Sequence, residues 1–400
     1  MLLTVALWLL ACTVAAAAQR ASPSTAPASL RIGVMTMQPG AVFFERFGHD
    51  SLIVDDPAQA APVSYNFGFF NLDEPGFLGN FARGHMTYQL VALPLDADLR
   101  YYQQVGRGVS IQWLDLSAAQ AHGIAEALAI NARPQNARYR YEYFTDNCAT
   151  RVRDAIDTAL RGGLKRQLDG RSRGNTYRSS AVRLASPAAW MWLGFDIGLG
   201  PLADQPLSMW YDAYVPMRLA EALREVKGSE GRPLVASEQV ILPHRIAPEP
   251  ADAPRLLWPW LLAGLAIATI ALCAGRAAPR ALAAVAMALW TLCALLGALM
   301  LFLWLGTEHR YAWGNHNLLL FCPLCVLLLP GGWRIARGRA AGPWFDRWLA
   351  VIASAAVVAP FLLWLALDAQ RNAPWIALLL PIHLALYAAL RSPRLVGDSH

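Results

Sequence analysis

Tyr143-Phe144-Thr145-Asp146-Asn147-Cys148-Ala149-Thr150-Arg151 carries the signal on which the fold turns. Asp146 and Asn147 are both good helix N-caps. Val152, Ile156 and Leu160 then recur on one face, ahead of Gly162-Gly163. The stretch therefore predicts an amphipathic helix opening at about Cys148. A thiol in the first helical turn meets unpaired N–H groups and the positive end of the helix dipole. That environment is expected to lower its pKa and favour the nucleophilic thiolate. The same N–H groups are placed to hold an oxyanion once an acyl carbon is attacked. The plain alternative is a small buried hydrophobe, which is what a free cysteine usually is.

Upstream, Ser117-Ala118-Ala119-Gln120 has the form of a capping box and predicts a helix to about Asn131. Before it, runs at 32–37, 51–54, 63–70, 87–93 and 109–114 read as strands, separated by turn formers such as Gln38-Pro39-Gly40 and Asp55-Asp56-Pro57. The expected domain is α+β, an antiparallel sheet packed against at least two helices. Downstream, residues 187–215 are rich in Trp, Leu and Gly. They read either as core or, more in keeping with a tethered domain, as a surface resting on a bilayer. Residues 216–226 read as a short amphipathic helix.

Past Pro254 the character changes. Apolar runs at about 256–275, 281–305, 316–333, 348–368 and 375–390 have membrane-spanning length and predict an all-α bundle of about five transmembrane helices. Arginines such as Arg276, Arg280, Arg334, Arg337 and Arg347 fall in alternate loops. The positive-inside rule then puts residues 31–254 and the polar loop 307–317 on the outer side. The opening MLLTVALWLLACTVAAAAQR reads as a secretory signal, with Leu9-Leu10-Ala11-Cys12 as a less favoured lipoprotein-processing site. The expected organisation is a signal at 1–18, a linker at 19–30, an exported domain at 31–254 and a membrane domain at 255–400, in a bacterial inner membrane. The net charge of +6 on 400 residues does not indicate nucleic acid, because many arginines flank apolar spans.

Of six cysteines, Cys12 lies in the first apolar run and Cys273, Cys293, Cys322 and Cys325 in later ones. Cys148 is left alone in the exported part. A domain using cysteine for structure there would carry a pair, so the lone thiol points to chemistry. Cys322-Pro323-Leu324-Cys325 has redox spacing but sits in an apolar span, and reads as two buried thiols. A thiol nucleophile needs a base. His122 and His244 read as surface residues and His85 as a loop residue. His49 opens a strand directly after a glycine, where its ring can point toward a helix end; its ordinary alternative is a satisfied histidine at a sheet edge. His383, inside a span, is a further candidate because ionisable groups there are costly. No phosphate-binding glycine loop and no zinc spacing is present, so neither cofactor nor metal is expected.

A histidine in a strand followed by a cysteine at a helix start resembles the circularly permuted papain-like thiol enzymes. More closely, the chain resembles the Lnb family of lipoprotein N-acyltransferases. The matching stretches are Phe47-Gly48-His49, Tyr65-Asn66-Phe67-Gly68, Gly106-Arg107, residues 139–151, Thr307-Glu308-His309 and residues 315–319. The resemblance covers most of residues 31–330. It implies that Cys148 attacks the sn-2 ester of a diacylglyceryl lipoprotein while His49 takes the thiol proton, and that the α-amine of the lipoprotein's terminal cysteine then receives the acyl group, leaving an N-acylated lyso-form; the expected partners are a lipoprotein or phospholipid substrate and the membrane. In a papain-like site a polar residue on the neighbouring strand orients the imidazole; Asn66 is the candidate, with Tyr65 second. Tyr65, Asn147 and Arg151 are candidates for contacting substrate, each with an ordinary structural alternative as strand residue, cap or solvated helix face. Two other readings stay open: a cell-envelope thiol peptidase or amidase using the same pair, and a membrane accessory protein in which Cys148 is structural.

Overall fold

Alternating apolar residues and the turns between them give one sheet of seven strands in the computed structural model, which describes residues 29–252, 254–365 and 369–391. The signal reading of residues 1–18, Cys12 included, and the linker as far as residue 28 lie outside the described residues. The strands are β1 (Arg31–Met37), β2 (His49–Asp55), β3 (Val63–Phe69), β4 (Thr87–Pro94), β5 (Val109–Leu114), β6 (Arg138–Arg140) and β7 (Val235–Leu242). They pair antiparallel in the order β6-β4-β3-β2-β1-β5-β7. The first five coincide almost residue for residue with the runs read from the sequence. β6 is too short to show a period, and β7 is an edge strand whose middle is exposed, so alternation marks neither.

The period of two sorts the sheet into two faces. Ile32, Val34, Leu52 and Val54 meet Ala149, Val152 and Ile156 of the helix Cys148–Ala159. Met35, Met37 and Ile53 on the other face meet Tyr102 of the helix Leu95–Val105. That second helix was not expected from the sequence. It begins at Pro94, and its buried residues include a charged one, Asp98, which spoils its apolar stripe. The helix Ala118–Asn131 has the full reciprocal capping box at Ser117 and Gln120. Pro216–Arg224 is helical as expected.

Among the described residues, five segments after residue 254 are long and apolar enough to cross a membrane: Trp258–Ala277, Pro279–Gly306, His316–Ala336, Pro343–Leu365 and Ala373–Leu390. The third is not one regular helix. It runs through 3-10 turns at His316–Leu319 and Pro323–Leu328 before the α-helix Leu329–Ala336, because Pro323 supplies no backbone N–H and holds its neighbours off the helical path. His383 in the fifth segment meets the Leu320 carbonyl of this interrupted segment at 2.9 Å. Its cost inside the bundle is thereby offset by a structural bond. Cys322 and Cys325 are buried free thiols.

A polar seam joins the two halves. The helix Ala189–Gly198 presents Leu193 and Ile197 to the bundle core, while the Ile197 carbonyl accepts from both Asn315 and Asn317 (2.8 and 3.0 Å). Gln370 donates to the Leu199 carbonyl and to Asn315, and Asn372 donates to Asn317. Asp196 accepts from Trp375 and pairs with Arg255. Arg178, 1% exposed, is held by Asp204 and by carbonyls of Asp196, Leu199 and Gly200. The Trp-rich stretch thus turns one side to the bundle, while Trp190 stays 68% exposed.

Candidate active site

Asn147 caps the Cys148 helix. Its Oδ1 accepts from the Thr150 N–H at 2.9 Å, and its Nδ2 donates to the Tyr143 and Tyr214 carbonyls at 3.0 Å each. Every polar group of the side chain is therefore spent on holding the turn, and Asn147 acts by positioning Cys148. Arg151, one turn on, grips Asp146 through Nε and Nη2 (2.6 and 2.9 Å) and lies 3.8 Å over the Tyr139 ring. It clamps the residues flanking the nucleophile candidate. Tyr65 packs against the core on the Cys148 side of the sheet.

Cys148 is half-buried, and a Cβ on Gly68 would lie 3.9 Å from its own Cβ. Gly68 stands in the bulge that breaks the β3–β4 register after Asn66, at φ 91°, a conformation that suits glycine. The thiol also lies against the backbone N–H of Asp50, the residue after His49. Cys148, His49 and Asn66 are thus gathered at one end of the β2–β3 pair. Gly48, at φ 76° with Met37 O and Met217 Sδ close by, makes the turn that starts β2 at His49.

His49 and Asn66 are bonded directly, Nε2 to Oδ1 at 3.0 Å. The Asn66 amide is oriented by its other end, where Nδ2 donates to Ser64 Oγ (3.0 Å) and to Asp98 Oδ2 (2.8 Å). Oδ1 must then accept, so Nε2 carries the imidazole proton and Nδ1 keeps the lone pair a base needs. Asp98 also accepts from Ser64 Oγ at 2.7 Å. The sequence reading missed Asp98; its only trace there is an acidic pair just after Leu95, which also suits an exposed helix start.

The electrostatics correct one expectation. Burial and the nearby Asp50 carboxylate push the Cys148 thiol up to about 12, outweighing the N–H groups of Asp50, Ala149 and Cys148 that pull it down. The helix start therefore does not deliver a preformed thiolate. Burial and the Arg107 guanidinium push His49 down to about 4, against opposing effects from Asn66 and Asp98. The resting pair is neutral thiol and neutral imidazole. Arg107 is itself buried, pairs with Glu45 at 3.3 Å, donates to the Gln38 carbonyl and leaves Nη2 without a partner. Asp50, fully buried, accepts from Thr36 at 2.7 Å, leaves Oδ2 unpartnered and is pushed up to about 7 by burial.

Strand alternation separates these groups. Asp50 shares a face with Leu52 and Val54, toward the Cys148 helix; His49 shares a face with Ser51 and Ile53, toward Asp98. The thiol thus lies on the Asp50 face of β2 and the imidazole on the Ser51 face.

The loop at 307–315 braces this corner from the membrane side. His309 stacks on Tyr143, Arg310 donates to Thr145 Oγ1 at 2.8 Å, and Tyr311 joins Phe144, Tyr177 and Tyr214 in an aromatic cluster. Asn315 and Asn317 belong to the seam rather than to this corner. His85 pairs with Glu308, His122 is exposed, and His244 accepts from the Gly108 N–H. Among the described residues, no group of three or more His, Cys, Asp or Glu side chains is placed to hold a metal.

Two family models match the chain. Residues 17–183 match the Lnb N-terminal periplasmic domain, and residues 253–391 match the Lnb transmembrane domain. No curated protein and no solved structure matches. The periplasmic-type domain and the five apolar segments stand in the family's order, and together the two matches take in the nucleophile candidate, its histidine and the loop that braces them: the chain belongs to the Lnb family.

Proposed function

We propose that the protein is a membrane-anchored thiol acyltransferase, with an exported domain of permuted papain-like type facing the periplasm from the inner membrane. It moves an ester-linked acyl chain through a thioester on Cys148 to the terminal amine of a lipoprotein. The observation that carries the reading is the His49–Asn66–Asp98 chain, which fixes the tautomer with Nδ1 free, at the strand end where Cys148 lies. On this reading the base for the thiol is His49, which must meet it at the strand end beside Gly68 for the proton to move. It takes the thiol proton as Sγ bonds to the ester carbonyl carbon. The carbon–oxygen bond to glycerol then breaks, and the proton passes from His49 to the glyceryl oxygen. In the second half the α-amine, which titrates near about 8, attacks the thioester. Its proton goes to His49, the carbon–sulfur bond breaks, and the sulfur recovers the proton.

With a thiol near 12 and an imidazole near 4, thiolate forms in concert with attack instead of standing ready. That favours attack on a bound ester over reaction with stray electrophiles. The test is mass spectrometry of lipoprotein N-terminal peptides from cells expressing the protein or its Cys148→Ala form. An N-acylated lyso-lipoprotein present only with Cys148 supports the reading. Identical lipoproteins in the two strains reject this acceptor, and absence of any acyl adduct on Cys148 rejects the chemistry.

A further inference from the structure

An arc of aromatic rings runs along the exported domain, exposed at Phe43, Phe44, Phe81 and Trp190 and seated at Phe70 and Phe77 on the buried Tyr88. Trp190 meets Phe43 (6.4 Å between centroids), Phe43 meets Phe44 (5.1 Å), and Phe44 meets Phe70 (5.3 Å). Phe70 stacks on Phe77 (5.6 Å), and Phe77 on Phe81 (6.3 Å). Three separate stretches of chain supply these rings, so the arc is a product of the fold. The short helix Phe77–Arg83 has no buried residue, and its Leu78 is 75% exposed. A contiguous apolar surface of this kind marks a contact site.

Both ends of the arc are fastened to the membrane half. At one end, the Trp190 helix packs Leu193 and Ile197 into the bundle. At the other, Phe81 meets the His309 ring at 6.3 Å, its carbonyl bonds to His309 Nε2 at 3.0 Å, and the Arg83 carbonyl accepts from the Glu308 N–H. Glu308 and His309 stand two and three residues after Gly306, where the second span ends. The arc therefore lies where the spans leave the apolar layer. It also borders the candidate site, since Phe44 precedes His49 on one loop and Phe70 follows Gly68.

We propose that this arc is the lip by which the site sits in the outer leaflet, and that the ester-bearing lipid passes across it to Cys148 without leaving the bilayer. The occupant is membrane lipid, because the surface continues from the membrane bundle at both ends. Lip docking stands by itself; the passage of the ester to Cys148 rests on the thiol-enzyme reading above. Arg46 and Arg83, beside the rings in sequence, fit the phosphate level of such a leaflet.

The experiment uses the full chain in phospholipid vesicles whose acyl chains carry an alkyne tag. A photoreactive benzoylphenylalanine is placed, one site at a time, at Phe44, at Leu78, at Val285 and at Val240. Val285 is 69% exposed within a span, and Val240 is 77% exposed on the β7 edge. Lipid adducts at Phe44 and Leu78 matching those at Val285, with background at Val240, are expected. Adducts at the arc no greater than at Val240, or adducts to a second copy of the chain, overturn the lip. In the same vesicles, Phe44→Ser with Leu78→Ser should lower acyl-thioester on Cys148 about tenfold, with recovery when the lipid is given in detergent micelles. No loss in vesicles overturns the passage. Adducts at the arc together with no thioester in the unsubstituted protein would retain the lip and remove the thiol reading.

Discussion

Two buried polar regions lie within this chain, and they are built on opposite rules. At the seam between the halves, Arg178, Asp196, Asp204, Asn315, Asn317, Gln370 and Asn372 match donor to acceptor throughout. At the strand end beside Cys148, two charged side chains are left open, with Asp50 Oδ2 and Arg107 Nη2 both buried and unpartnered. A satisfied network rigidifies, whereas an unsatisfied buried group stores free energy that a reacting partner can release. On the proposed function, the seam is architecture and the strand end chemistry. The His49–Asn66–Asp98 chain belongs to the second region but follows the first rule, which suits a group that must keep a base in one orientation.

The contrast can be broken most forcefully at the seam. Arg178→Met leaves Asp204 buried and uncompensated and should cost about 3–5 kcal/mol. The expected readout is a large fall in the melting temperature of the full chain in detergent; an unchanged melt would show that the seam is not structural. At the strand end, Asn66→Ala should cost about 1–3 kcal/mol, a smaller fall in the melt than at Arg178, and slow thioester formation about a hundredfold, by releasing the imidazole from its orientation. A rate unaffected by Asn66 would remove it from the machinery. Next comes pH. Because His49 is held near 4, the neutral base persists well below the ordinary histidine range, and the acid limb of thioester formation should lie nearer 4 than 6.5. A limb at 6.5 would mean that Arg107 and burial do not act on His49 as the geometry requires. The smallest effect is at Asp50. Asp50→Asn keeps an acceptor for Thr36 while removing the charge that raises the thiol. Iodoacetamide labelling of Cys148 at pH 8 should then quicken about threefold. Slower labelling would make Asp50, which shares the thiol's face, the base in place of His49.

Much of this was legible in the sequence, and what was not has definite causes. β1, β2 and β5 showed themselves because each buries alternate residues against two cores, β3 and β4 because they put Phe67 and Leu90 into one of these, and the Cys148 helix because its cap and apolar stripe agree. The placing of Asn66 beside His49 was legible through the neighbouring-strand logic of the resemblance. Asp98 was not, since a buried carboxylate looks like an exposed one until its partners are known. The thiol was misjudged for a related reason. The helix start is a local feature that sequence displays, while the burial and the Asp50 charge that outweigh it are tertiary. The third span was placed correctly but its backbone was not, because hydropathy reports length and is blind to the break at Pro323.

The brace at residues 309–311 has a consequence for the order in which the protein is made. The turn holding Cys148 leans on His309, Arg310 and Tyr311 through Tyr143, Thr145 and Phe144. Translation delivers those three residues more than a hundred positions after the cysteine, once the second span has been threaded. A chain released early thus carries its thiol on an unfinished turn. Completion of the turn around Cys148 is thus tied to completion of the first two spans.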